Sequence, residues 1–168
     1  MKIGMICGRF QPIHLGHLAV INAALADCGH LIIAIGSAQE ARTKRNPLSF
    51  EERKELILKC VPRDRVTIIG INDRETIADD ASWGDYLLNE IYTQTGWRPS
   101  VNYTGAELIR SHWFDNQEIE QVEINRDIIY VSATLIRDAI RLNDYEAFYD
   151  MMPMELWSEY ERLREIIK

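Results

Sequence analysis

The chain has 168 residues, 46% of them apolar and 27% charged, with a formal net charge of −7. This balance is typical of one globular domain, so we expect residues 1–168 to form a single domain. The acidic charge disfavours nucleic-acid binding, although a local field of opposite sign still admits a small anionic ligand. No apolar run approaches the roughly 18 residues of a membrane span, and no secretory leader is evident. We therefore expect a cytoplasmic protein without membrane contact.

Strand-like and helix-like segments alternate along the chain. Apolar runs predict strands at 3–7, 31–36, 66–71, 101–105 and 127–132. Helical spacing and caps predict helices between them: a helix at 18–28, one at 50–60 begun by a Ser49 capping box, and further helices capped by Ser82 and Ser132. A last helix is predicted over 154–167, with Pro153 at its first turn. The alternation predicts an α/β fold, a doubly wound parallel sheet with C-terminal helices.

The turn between the first strand and the first helix reads GRFQPIHLGH, residues 8–17. It lacks the spacing of the GxGxxG and GxxxxGK[ST] phosphate motifs. It still has the chemistry that an anion needs, because Gly8 permits close backbone approach and Arg9 adds a permanent positive charge. Gly16 and His17 stand at a helix start, where N–H groups and the helix dipole favour an anion. His14 and His17, three residues apart, are able to aim at one point.

The histidine pair has two other interpretations, a zinc site and a helix cap. An HxxH pair is half of a zinc site, but no cysteine or carboxylate follows at ligand spacing. A single histidine here would best be explained as a helix cap on the surface. The co-occurrence of glycine, arginine, proline and two histidines in ten residues favours an anion site instead.

This stretch resembles the [T/G]xxxHxGH signature of the nucleotidyltransferase superfamily, which transfers a nucleoside monophosphate from a nucleoside triphosphate to a phosphate or similar acceptor. A second stretch, VSATLIRDAI at 131–140, resembles the ISxTxxR element of the same superfamily. The resemblance implies a Rossmann-like nucleotidyltransferase fold. It implies catalytic roles for His14, His17 and Arg137. It also implies an ATP site made by Gly8, Arg9, Phe10, Gly16, Arg45, Gly105, Ser132 and Thr134.

The middle of the chain resembles one branch of that superfamily, the archaeal-type nicotinamide-nucleotide adenylyltransferases. The stretches IGSAQEARTKRNPLSFEER at 35–53, DDASWGDYL at 79–87 and YTGAE at 103–107 carry this resemblance. It implies that Ser37, Gln39 and Trp83 bind the acceptor, with Trp83 stacked on the nicotinamide ring. Trp83 in the core is the competing interpretation, and a solvated charged loop is the competing interpretation for the segment that contains Arg45.

The resemblance implies an enzyme that joins ATP to nicotinamide mononucleotide, with Mg²⁺ carried on the ATP and no metal site of the protein's own. It further implies a possible homo-oligomer. Two alternatives stay open. One is a sister transferase with another acceptor, such as nicotinate mononucleotide or phosphopantetheine. The other is a nucleotide sensor without catalysis.

Overall fold

A five-stranded parallel sheet organises the protein, whose computed structural model describes residues 1–74, 79–105, 112–125 and 131–168. The strand order is β3-β2-β1-β4-β5, and every neighbouring pair is parallel. The chain adds strands on one side of β1 and then on the other, so the strand order reverses between β1 and β4. Ligand sites of such sheets lie at the carboxyl ends of the strands at this switch point. The strands are β1 (Ile3–Gly8), β2 (His30–Ile35), β3 (Val66–Gly70), β4 (Val101–Thr104) and β5 (Glu120–Glu123).

Helices cover both faces of the sheet, which confirms the predicted doubly wound α/β class. The side chains of a strand alternate between faces, so β2 sends Ile33 into one apolar cluster and Ile32 into another. The first cluster includes Ile21 of the first helix, whereas the second includes Leu87 of the third. The helices are α1 (Leu15–Asp27), α2 (Phe50–Leu58), α3 (Asp80–Thr95), α4 (Ala133–Arg141), α5 (Tyr145–Met151) and α6 (Tyr160–Ile166).

The helix caps agree with the sequence in two of three cases. Ser49 and Ser132 cap α2 and α4, and Ser49 forms the predicted capping box with Glu52. The prediction that Ser82 caps the third helix is wrong. Asp79 is the cap, and its carboxylate accepts from the backbone N–H of Ser82. A carboxylate at this position also meets the positive end of the helix dipole, which explains why the helix starts earlier.

Two predictions near the C-terminus have other outcomes. Residues 126–130, most of the predicted strand at 127–132, lie outside the described residues. The fifth strand of the described sheet, β5, has the polar sequence EQVE and lies at the edge, where three of its four residues are exposed, so no apolar run predicts it. The predicted single helix over 154–167 is wrong in its first half, because Met154–Glu159 form a 3₁₀ helix before α6.

The part of the chain that the structure describes contains no helix long and apolar enough to cross a membrane. None of the three cysteines, all of which the structure describes, forms a disulfide, and Cys7 and Cys28 are buried.

A bidentate ion pair connects the loop before α2 to that helix. Arg42 donates to Glu52 at 2.6 and 2.9 Å, and this hydrogen bonding lowers the pKa of Glu52 to about 2. A carboxyl whose pKa is lower in the folded state stabilises the protein above its ordinary pKa and loses that contribution as the pH falls.

We expect Glu52→Gln to lower the free energy of unfolding by about 1 kcal/mol at pH 7, because the pair is partly exposed to solvent. The difference from wild type should shrink between about pH 4.5 and 2, as Glu52 protonates. Urea unfolding of wild type, E52Q and the exposed neighbour variant Glu51→Gln at pH 7 and pH 3 checks this. A difference that is constant with pH would contradict the assigned role of the pair.

Candidate active site

A cavity of about 310 Å³ opens at the switch point, between the carboxyl ends of β1 and β4 and the N-termini of α1 and α4. Residues from three parts of the sequence, 6–20, 104–105 and 132–137, line it, and they include most of the side chains and glycines that the two motifs singled out. The predicted residues found in the lining are Gly8, Arg9, Phe10, His14, Gly16, His17, Gly105, Ser132, Thr134 and Arg137.

The two histidines form a reciprocal capping box at the start of α1. His14 is the N-cap, and its Nδ1 accepts from the backbone N–H groups of Gly16 at 3.0 Å and His17 at 3.2 Å. His17 returns the contact, because its Nδ1 accepts from the backbone N–H of His14 at 3.2 Å. The rings stack with centroids 3.7 Å apart, and Phe10 packs on His17 at 4.6 Å. The histidines are therefore both a helix cap and part of the cavity wall.

This capping box determines the tautomer of both rings. A nitrogen that accepts a hydrogen bond carries no proton, so in each neutral ring the proton is on Nε2. Both of these rings line the cavity. Protonation of either Nδ1 would break the hydrogen bonds that cap α1.

The N-terminus of α4 forms the opposite wall. Ser132 caps the helix by accepting from the backbone N–H of Leu135 at 3.1 Å. Arg137, one turn later, is buried and donates to the backbone carbonyl of Gln11 at 2.9 Å and to the Thr134 hydroxyl at 3.4 Å. Its Nε is buried without a partner among the described residues. One guanidinium therefore joins this helix to the turn after β1.

The cavity is electrostatically suited to an anion. Burial lowers the pKa of Arg137, and the guanidinium groups of Arg141, Arg9 and Arg45 lower it further. Arg45 is exposed and is not among the lining residues of the cavity, so its predicted place in the ATP site stays a prediction. None of the described lining residues is acidic. The positive charges of these guanidinium groups repel one another, and a bound polyanion would offset that repulsion.

The structure adds lining residues that the motifs did not single out. Gln11 is buried and exchanges two hydrogen bonds with the backbone of Leu48, at 3.0 and 2.9 Å. Thr104 ends β4 with a buried hydroxyl that has no partner among the described residues. Gln11 lies inside the quoted motif and Thr104 directly before Gly105, so position in the sequence was the available signal for both.

The predicted acceptor residues lie outside this cavity, beyond the ends of β2 and β3. Ser37 donates to one carboxylate oxygen of Asp73 at 3.0 Å, and Gln39 donates to the other at 2.9 Å. Gln39 also accepts from the backbone N–H of Asp73 at 3.1 Å. Asp73 was not predicted from the sequence. It connects the two predicted residues to the segment that leads towards α3.

Trp83 lies in an aromatic cluster on α3. Its ring is 5.4 Å from that of Tyr86 and 6.0 Å from that of Trp113. The Arg74 guanidinium lies over the Trp83 and Tyr86 rings, at 5.9 and 5.5 Å from their centroids. The Trp83 indole N–H is buried without a partner in the described part of the chain. Trp83 is therefore half-buried in packing, and its predicted stacking role stays a prediction.

The fold and the cavity together define a class of protein. A doubly wound parallel sheet whose switch-point cavity is lined by helix N-termini, arginines and histidine N–H donors is a nucleotide-binding α/β domain.

Comparison with known proteins narrows this class. A family model described as cytidylyltransferase-like matches residues 5–163. The nicotinamide-nucleotide adenylyltransferase of Thermococcus kodakarensis is 30% identical over 173 residues, covering 99% of this chain and 84% of the relative. A nicotinamide/nicotinic acid mononucleotide adenylyltransferase of Acinetobacter baylyi is 39% identical over 137 residues, covering 79% and 71%. The chain therefore belongs to the cytidylyltransferase-like family and, within it, to the nicotinamide-nucleotide adenylyltransferases.

A solved structure shares the fold. It is a bifunctional NMN adenylyltransferase/ADP ribose pyrophosphatase from Francisella tularensis, complexed with AMP and a manganese ion. The TM-score is 0.68 at 24% identity, and the match covers 98% of this chain. The present chain spans about half of that protein, 52%.

The double capping role of His14 is testable by stability. We expect the free energy of unfolding of His14→Ala, measured by urea unfolding, to be about 1 kcal/mol lower than that of His14→Asn. The reason is that an asparagine at the N-cap accepts from the same backbone N–H groups. Both variants lack the imidazole, so loss of ring stacking affects them alike. Equal stability of the two variants would show that His14 does not cap α1.

Proposed function

We propose that this protein is an adenylyltransferase that joins ATP to nicotinamide mononucleotide, giving NAD and pyrophosphate, and that residues 1–168 suffice as a single catalytic domain. The observation that carries the proposal is the cavity wall of two Nε2–H donors, two helix N-termini and buried Arg137. Each of these groups donates hydrogen bonds or carries positive charge, as a triphosphate chain requires.

The reaction needs no nucleophile from the protein. An oxygen of the acceptor's 5′-phosphate attacks the α-phosphorus of ATP, a new O–P bond forms, and the bond to the β-phosphate oxygen breaks in line. Pyrophosphate leaves with the bonding electron pair. Catalysis then consists of positioning the two phosphates and stabilising the charge that develops on the transferred and leaving groups.

The position of each residue around the cavity suggests which phosphate it contacts. In this proposal the Nε2–H groups of His14 and His17 donate to oxygens of the transferred phosphate. The guanidinium groups of Arg9, Arg45 and Arg137 neutralise the leaving pyrophosphate. The α4 N-terminus, capped by Ser132, binds the same phosphate chain from the other side. Neutral histidines suit this role, because they donate at the charge-developing oxygens without having to hold a second proton.

Mg²⁺ enters as part of the substrate, bound to ATP. No group of three or more histidine, cysteine, aspartate or glutamate side chains able to hold a metal ion occurs in the described part of the chain. Phosphate oxygens and water are the ligands that Mg²⁺ usually keeps at such sites. The manganese ion and AMP of the Francisella protein support a divalent metal together with an adenine nucleotide.

The function is tested with purified protein, MgATP and nicotinamide mononucleotide, by measuring NAD and pyrophosphate together. We expect equal amounts of both. His17→Gln should keep the fold, because a glutamine at this position also accepts from the N-cap N–H. It should lower kcat by about 10²-fold or more, because one amide cannot accept from the N-cap N–H and also hold a donor N–H where the imidazole Nε2–H lies.

The controls separate the alternatives. ATP binding without pyrophosphate release by the wild type would identify a nucleotide sensor. Pyrophosphate release only with an acceptor other than a pyridine mononucleotide would identify a sister transferase. A His17→Gln variant with normal kcat would remove His17 from the mechanism.

One observation favours nicotinate mononucleotide as a second acceptor. Nη1 of Arg74 donates to the carbonyl and the hydroxyl of Ser82, while Nη2 bonds to no described residue. The guanidinium lies over the ring of Trp83. A pyridinium cation stacked here would meet a like charge. The carboxylate of nicotinate, on the same ring, would offset that repulsion and accept a charge-assisted hydrogen bond. The Acinetobacter relative is named for both acceptors.

We expect Arg74→Met to lower kcat/KM for nicotinate mononucleotide relative to nicotinamide mononucleotide by roughly 5- to 10-fold, since one partly exposed ion pair is lost. The ratio for Arg98→Met should change less, because the Arg98 guanidinium lies over the ring of Tyr92, 4.1 Å from its centroid, and not over the ring of Trp83. An unchanged ratio in Arg74→Met would exclude this arginine from acceptor choice.

A further inference from the structure

Arg53 is a buried cation held by backbone carbonyls. Its residue is fully buried, and its guanidinium makes four hydrogen bonds. Nε donates to the carbonyl of Ser49 at 3.2 Å, and Nη1 donates to those of Arg9 at 3.0 Å and Gly36 at 2.8 Å. Nη2 donates to the carbonyl of Ser37 at 3.0 Å. Arg53 forms no ion pair with any described residue.

These carbonyls belong to the two halves of the candidate site. Arg9 follows β1 and lines the phosphate cavity. Gly36 and Ser37 follow β2, and Ser37 is bonded to Asp73 on the acceptor side. A direct backbone contact, from the N–H of Gly36 to the carbonyl of Gly8 at 2.9 Å, runs beside the guanidinium. One side chain on α2 therefore spans the ends of β1 and β2, where the two substrates would meet.

Only arginine makes this set of contacts. Its planar fork has five N–H groups in a fixed arrangement, whereas a lysine ammonium is a single point with three donors. Burial lowers the pKa of Arg53 to about 10, so the group stays charged at neutral pH. A charged group without a carboxylate partner is expensive to bury. The carbonyl dipoles around Arg53 offset the cost of burying its charge, and the same hydrogen bonds hold those carbonyls in position.

We propose that Arg53 is a positioning residue that sets the spacing between the phosphate turn and the acceptor residues, and hence the in-line approach of the acceptor phosphate. The inference rests on the proposed function. Arg53 touches neither substrate in this assignment. It acts through the backbone of Arg9 and Ser37. Loss of the spacing should therefore lower kcat while each substrate still binds to its own half.

The experiment compares Arg53→Lys with Arg65→Lys. Arg65 also donates to two backbone carbonyls, those of Leu25 at 2.6 Å and Cys28 at 2.7 Å, but at the amino ends of β2 and β3, away from the carboxyl ends that Arg53 joins. For R53K we expect kcat to fall by about 10²-fold, the effect that a displacement of roughly 1 Å produces, with the KM for ATP and for acceptor within a few-fold of wild type. R65K should lower Tm without changing kcat by more than about threefold.

The outcomes are distinct. An R53K variant that loses Tm like R65K and keeps its kcat overturns the inference, since Arg53 would then be only a structural brace. A large rise in both KM values with kcat unchanged also overturns it. If R53K does not fold, Arg53→Gln is assayed instead, and failure of both variants to fold while R65K folds assigns Arg53 to the fold alone. A wild type that makes no NAD removes the proposed function and this role with it.

Discussion

The turn after β1 is held between two buried guanidinium groups, and the candidate site depends on that constraint. Arg53 donates to the carbonyl of Arg9 at 3.0 Å, and Arg137 donates to the carbonyl of Gln11 at 2.9 Å. Phe10 between them has a positive φ of 52°, a conformation that a bulky residue adopts only when its surroundings require it. The two arginines come from α2 and α4, so the packing of both helices holds the turn in this shape.

The histidine pair shows how a short motif serves structure and chemistry at once. A capping box is usually made by serine or threonine with glutamate or glutamine. Here two imidazoles make the same reciprocal contacts through Nδ1. An imidazole has a second nitrogen, so each ring caps the helix with one atom and keeps an N–H donor on the other. No hydroxyl or carboxylate cap would provide this, since neither offers a donor N–H on its far side.

Local charge at the site opposes the charge of the whole chain. The protein has a formal net charge of −7, yet the arginines that bias the pKa of Arg137 are concentrated at the switch point. Burial strengthens their field, because less water screens them. The cavity therefore suits a small polyanion although the chain as a whole is acidic. Arg141 donates to the carbonyl of Lys44 at 3.0 Å, which connects the charged segment that contains Arg45 to α4.

Much of the fold, and several of the residues that line the cavity, could be predicted from the sequence itself. Apolar runs located β1 to β4, Ser49 and Ser132 marked two helix starts, and the HxGH and SxTxxR spacings named His14, His17 and Arg137. These are local signals, because strand periodicity, caps and turn chemistry depend on neighbours in the chain. The tertiary structure alone decided what depends on distant residues. It made β5 a polar edge strand, assigned Asp79 as a cap, joined Ser37 and Gln39 through Asp73, and gave Arg53 its role. No local signal in the sequence assigned a role to Arg53, because its partners are carbonyls up to 44 residues away, which only packing brings within hydrogen-bond distance.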